Sequence, residues 1–140
     1  GKTDVIQMLN GCIGGLVAIT AEPLMPSPLA AILIGAVGGV IVVYGTKFLL
    51  SLKIDDVVGA IPAHLFAGIW GTLAVPITNP DTSFGTQLLG VVSINVFVFA
   101  VSFVIWFLMK NTFGIRLSKE GELKGTDVTE TGVIAYAIRD

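Results

Sequence analysis

The chain holds one histidine, His64, inside the stretch IDDVVGAIPAHLFAGIWGTLAVPIT (Ile54–Thr78), and from Val57 to Thr78 no other side chain carries charge near neutral pH. An imidazole can donate, accept or relay a proton under physiological conditions, so its type and isolation mark it as the first candidate for chemistry. Two carboxylates, Asp55 and Asp56, stand at the head of the same run. There they suit the capping of free helix N–H groups and the positive end of the helix dipole better than a substrate role. Pro62, two residues before the histidine, has no N–H to offer the Val58 carbonyl, and the sequence predicts a kink or loosening one turn below His64. That freed carbonyl either finds a donor on a neighbouring element or faces open space. Glu22, beside prolines in a short loop, is open between a vestibule charge and an ordinary loop residue.

The elements that carry these residues follow from composition. Of 140 residues, 54% are hydrophobic and only 13% charged, against about a quarter charged in soluble domains. Four runs are nearly free of charge: 5–21, 28–50, 57–78 and 84–109. A membrane-spanning helix needs about 20 apolar residues, which the second and fourth exceed, the third meets and the first only approaches. LAAILIGAVGGVIVVYG (Leu29–Gly45) is apolar on all sides, where a soluble helix would show a polar stripe. The fold class expected is therefore an all-α polytopic membrane protein. Gly1 in place of Met, with no basic segment ahead of an apolar core, reads as an excerpt of a longer polypeptide without a signal peptide.

Charge placement predicts orientation. The connections EPLMPS (Glu22–Ser27) and NPDTS (Asn79–Ser83) contain no Lys or Arg. The eight basic residues all fall at or beyond the opposite ends of the four runs. Basic residues beside spans mark the cytoplasmic side, so residue 1 and the C-terminus are expected in the cytoplasm, with His64 on a span running outward. The polar segment 114–140 reads as a solvated cytoplasmic tail and residues 1–113 as the transmembrane region.

Small residues predict how the spans meet. GCIGG (Gly11–Gly15) and GAVGG (Gly35–Gly39) each carry Gly-x-x-x-Gly, which lets helix backbones approach closely in lipid. Helical spacing places Ala60, Ile61, Ala67, Gly68 and Gly71 around His64, a third face of mostly small residues. Of these, Ala60, Ile61 and Gly68 are candidates to line a narrow lumen beside His64. Counted from Val57, the ring lies about 10 Å into its span, where ionisable residues are functional-site candidates by default. A neutral ring offers one donor and one acceptor nitrogen and cannot satisfy both from its own helix. The alternative is a packing role, with His64 bonded to a neighbouring helix. The fourth run is bulky and Phe-rich, as suits a peripheral helix.

DDVVGAIPAHLFAGIWGTLA resembles the histidine-bearing tenth span of the ammonium transporter (Amt/Rh) family. NGCIGGLVAIT (Asn10–Thr20) and SPLAAILIGAVGGVIVVYGTKFL (Ser27–Leu49) are similar to its eighth and ninth spans, and GTQLLGVVSINVFVFAVSFVIWFLM (Gly85–Met109) to its eleventh. GIRLSKEGELKGTDVTETGVIAY (Gly114–Tyr136) resembles its C-terminal signature, matched at Arg116, Gly125, Asp127 and Tyr136. The resemblance implies an eleven-helix fold, of which this chain supplies an incomplete second inverted repeat plus the final helix. It further implies a homotrimer in the plasma membrane serving nitrogen uptake, with one pore per protomer and a pair of pore histidines, the second matched by His64. Ammonium would lose a proton near the outer mouth and pass as ammonia. A PII-type signalling protein is the implied partner at the cytoplasmic face, and no cofactor, metal, nucleic acid or enzymatic activity is implied. An ammonium sensor and a Rhesus-type gas channel share the fold and remain open. Two positions depart from the family pattern: Leu65, where a glycine usually follows the histidine, and Thr131, where the tail usually has histidine.

Overall fold

A computed structural model of the chain describes residues 3–134. All its regular elements are helical, and no strand occurs among the described residues. Helix α1 spans Val5–Ile19 and α2 spans Pro28–Ser51. A π-helical turn, Ile61–Phe66, runs directly into α3, Ala67–Thr78. Helix α4 covers Phe84–Thr112, and a short α5, Lys119–Lys124, precedes a second π turn, Asp127–Thr131. By compactness the chain divides into residues 1–95 and 96–140.

The helix starts follow local rules. Asp4 caps α1 by accepting the Gln7 N–H at 3.0 Å, and Ser27 caps α2 by accepting that of Ala30 at 3.3 Å, with Pro28 in the first turn. Among the described residues, three helical stretches are long and apolar enough to cross a membrane: Pro28–Ser51, Ile61–Thr78 and Phe84–Thr112. Helix α1, at 15 residues, is about 22 Å long and falls short of a ~30 Å hydrocarbon core.

In the first unit, α1 and α2 lie antiparallel, glycine against glycine. A Cβ built on Gly15 would stand 3.1 Å from the Gly35 carbonyl oxygen, and one on Gly39 would stand 3.2 Å from that of Gly11. The two Gly-x-x-x-Gly motifs thus face each other. Closer still is the neighbouring pair: a Cβ on Gly38 would fall 2.7 Å from both the Gly14 oxygen and the Ala18 methyl. Helix α3 seats on this pair. Gly71 lies against the Ala18 backbone, Ala74 packs with Ala18 and Ile34, and Ala67 with Val42. Trp70 Nε1 donates to the Ile34 carbonyl at 3.0 Å, joining α3 to α2. Asn79 Nδ2 donates to Glu22 Oε2 at 2.8 Å, so the loop after α1 is tied to the loop after α3.

The second unit contains the bulky part of α4, whose residues are all at least partly exposed. Phe99, Phe103 and Phe107 stack in succession along it, with centroids 6.3 and 6.2 Å apart. Beyond it, Ser118 caps α5 by accepting the Gly121 N–H at 3.1 Å, and Thr129 Oγ1 donates to the Gly121 carbonyl at 3.2 Å. The tail is thereby folded into a small helical hairpin.

Candidate functional site

The segment leading to His64 departs from a simple helix. Periodicity predicts a helix from Val57, but regular structure begins at Ile61. The reason lies in the four residues before it. Asp56 folds both carboxylate oxygens over the N–H groups of Ala60 and Ile61, each at 2.9 Å. Gly59 takes a left-handed conformation, φ +72°, which costs glycine nothing. Pro62 consequently sits in the first helical turn, where its missing N–H is no loss, and not in a helix interior as the sequence predicts. Asp55 has no hydrogen-bond partner among the described residues.

The turn that carries the histidine is π-helical. The Ala67 N–H reaches the Pro62 carbonyl five residues back, and the extra residue in the turn changes which side chains share a face. Ala63 and Ala67 are buried against Val42, with Val17 beside them. Phe66 lies on Gly45 of α2, where a Cβ would stand 2.7 Å from its ring. His64 points the other way, into a cleft of about 340 Å³ lined from its own side by Leu65, Gly68, Ile69 and Thr72. Gln87, Gly90, Val91, Ile94 and Asn95 line it from the N-terminal part of α4.

Gly68 thus shares the cleft with His64, while Ala60 and Ile61 do not line it. Ala67 and Gly71, which regular helical spacing also places around the histidine, are instead buried against α1 and α2. The stripe beside His64 follows steps of four residues (64, 68, 72) with a parallel row at 65 and 69. The side-chain size differs as well: Leu65, Ile69 and Ile94 make the lining apolar and bulky, with polar groups only on His64, Thr72, Gln87 and Asn95. Thr72 spends its hydroxyl proton on the Gly68 carbonyl at 2.9 Å, and Asn95 its amide on the Val91 carbonyl at 2.8 Å. The His64 ring has no protein hydrogen-bond partner among the described residues, so both ring nitrogens are free to meet a small polar molecule. A second cleft of about 240 Å³, between α2 and α3, is lined by Ala30, Leu33, Ile34, Val37, Trp70 and Ile77 and has no titratable group. No cluster of three or more metal-ligating side chains occurs among the described residues.

One residue beside the site gave no signal in the sequence. Asn10, on α1, donates its amide to the Val58 carbonyl at 2.8 Å. This is the carbonyl that Pro62 cannot serve, and its donor comes from 48 residues away. Only the freed carbonyl could have hinted at a partner, and it did not say which.

The tail residues are placed as follows. Arg116 grips Glu122 through Nε at 2.6 Å and Nη2 at 3.2 Å. That hydrogen bond holds the Glu122 carboxyl below the usual carboxylate range, and Glu122 in turn raises the guanidinium. Gly125 ends α5 at φ +103°, a conformation few other residues take, and Asp127 opens the second π turn. Thr131 Oγ1 donates to the Asp127 carbonyl. Tyr136 lies outside the described residues.

The family model described as Ammonium Transporter Family matches residues 1–136. Ammonium transporter Amt2 of Archaeoglobus fulgidus is 35% identical, the match covering 97% of this chain and 33% of that protein. Ammonium transporter Amt1 of Haloferax mediterranei is 37% identical over 97% of this chain and 27% of its own length. Ammonium transporter 3 of Dictyostelium discoideum is 30% identical over 97% of this chain and 36% of its own length. The chain spans about a third of the length of the curated relatives it matches. It belongs to the ammonium transporter family, and with three helices of membrane-crossing length it is a membrane protein.

Proposed function

We propose that this member of the ammonium transporter family supplies part of an ammonium-conducting pore, with His64 facing the conduction path. The observation that carries the reading is the placement of the single histidine, unpartnered, in an otherwise mostly apolar cleft on a membrane-length helix. A bare cation in such a space is costly, whereas neutral ammonia avoids most of the penalty and can exchange hydrogen bonds with an imidazole. The second histidine of the pair belongs to another part of the complete protein, and its approach would use the ring nitrogens left free here. Gly68 gives the path width beside the ring.

The transmembrane region comprises residues 1–113, its spans formed by α1, α2, the π turn with α3, and α4, and the tail 114–140 lies in the cytoplasm, as the placement of basic residues favours. Asp56 and Asp55 then stand at the cytoplasmic mouth. Arg116, Gly125 and Asp127 shape a folded tail through which a PII-type protein or a neighbouring protomer of a homotrimer acts on the pore.

The test is His64→Ala in the full-length protein, read by methylammonium uptake and ammonium-evoked current at matched surface expression. Loss of flux or of selectivity is expected. Unchanged uptake and current would remove His64 from the path and leave it a packing residue.

A further inference from the structure

The imidazole has no hydrogen bond of its own to hold it, so its position is inherited from the backbone on either side. Within the turn itself that backbone is fixed by packing: Ala63, just before the histidine, and Ala67, after it, are buried, and Phe66 lies on Gly45. On the N-terminal side the chain is a loop, and its last peptide unit before the cap joins Val58 to Gly59. Such a unit, with glycine at positive φ, can rotate at little steric cost unless something holds it.

Two bonds hold it. Its own N–H, that of Gly59, donates to the Asp56 carbonyl at 3.1 Å. The Val58 carbonyl accepts from Asn10 at 2.8 Å. Asn10 is a poor helix former in the middle of α1, so the helix itself gains nothing from it. Gly59 is also matched to Asn10 in shape, since a Cβ at that position would collide with the Asn10 amide nitrogen. A π turn is an uncommon arrangement that persists only where its surroundings specify it.

We propose that Asn10 is a positioning residue for His64: by holding the Val58 carbonyl it fixes the Val58–Gly59 peptide, keeps the π turn in register and so sets where the imidazole stands in the cleft. The inference rests on the reading of His64 as a pore residue, but its test separates the two.

The experiment uses the full-length protein with histidine ring nitrogens isotopically labelled, the His64 signal being assigned by its loss in His64→Ala. Asn10→Asp keeps the size of the side chain and removes its donor. Gly59→Ala leaves Asn10 in place and displaces its amide. Both variants are expected to shift or broaden the His64 ring signal and to lower methylammonium flux about tenfold at matched surface expression. Cys12→Ser, two residues along α1, is expected to do neither. An unmoved ring signal in Asn10→Asp and Gly59→Ala overturns the inference whatever the flux. A moved ring with undiminished flux upholds the positioning role and counts against the pore reading. Asn10→Ala, which also removes the donor and leaves Gly59 in place, carries the test if Asn10→Asp fails to reach the surface.

Discussion

Gly38→Ala tests the helix packing on which the site is built. The added methyl would stand 2.7 Å from the Gly14 carbonyl oxygen and 2.7 Å from the Ala18 methyl, about 0.7 Å inside ordinary van der Waals contact. Neither neighbour can rotate away, because one is backbone and the other is the first atom of its side chain. Helices α1 and α2 must therefore separate, and the Gly15–Gly35 and Gly11–Gly39 approaches open with them. A gap of that size forfeits roughly a quarter to a half of each dispersion contact along the seam. Overpacking of this kind costs about 1–3 kcal/mol, while replacing glycine by alanine in a helix returns up to ~1 kcal/mol. The net expectation is a loss of ~1–2 kcal/mol. Gly11→Ala supplies the internal standard: it lies on the same pair of helices, but its Cβ would meet nothing within 4 Å, so only the helix-propensity gain remains. The assay is SDS titration of the purified full-length protein in mixed micelles, followed by tryptophan fluorescence. The two variants should differ by ~2 kcal/mol, with Gly38→Ala the weaker. A Gly38→Ala protein as stable as Gly11→Ala would refute close glycine packing as the force that joins α1 to α2.

Two further outcomes follow from the caps and the tail. Asp56→Ala removes the acceptor of two N–H groups and should cost about 1–2 kcal/mol in the same titration, whereas Asp55→Ala should stay within ~0.5 kcal/mol. Equal effects at the two positions would show that general negative charge, not the cap, matters there. In the tail, Glu122 is held below its usual range by Arg116, so its contribution is complete above the ordinary carboxylate value and is lost as pH falls through the lowered one. The raised Arg116 keeps its charge throughout that window. Amide-exchange protection across 118–124 should therefore hold from neutral pH down to about 5, fall only in stronger acid, and lose that acid step in Glu122→Gln. Protection already falling near neutrality, or an unaltered acid step in Glu122→Gln, would show that the ion pair does not hold the hairpin.

What could be read from the sequence was whatever depends on composition and on regular spacing. The long apolar runs gave α2 and α4 almost to the residue, since length and hydropathy need no tertiary information. The two Gly-x-x-x-Gly motifs identified helix faces that do meet, because close approach in lipid leaves few other residue choices. The tightest seats, Gly14 with Gly38 and Gly71 on Ala18, escaped that reading; they sit outside the motif, and their neighbours come from other helices. The start of the third span was four residues late for a similar reason. Val57 and Val58 are apolar enough to belong to a span, yet the Asp56 cap and the positive φ of Gly59 hold them outside it.

That late start reaches the site itself. It places His64 in the first helical turn and not the second, and it turns Pro62 from an interior kink into an N-terminal residue. The π turn then moves the face around the histidine, so that of the five neighbours regular spacing assigns to it only Gly68 remains in the cleft. Local propensity could not have revealed this, because a π turn is no sequence preference of Ile61–Phe66. It is the outcome of three constraints from separate places: Asn10 on α1, Asp56 in the loop and Gly45 under Phe66 on α2. Each is an ordinary residue in its own segment, and it is their convergence on the π turn and the few residues before it that gives the lone histidine its direction.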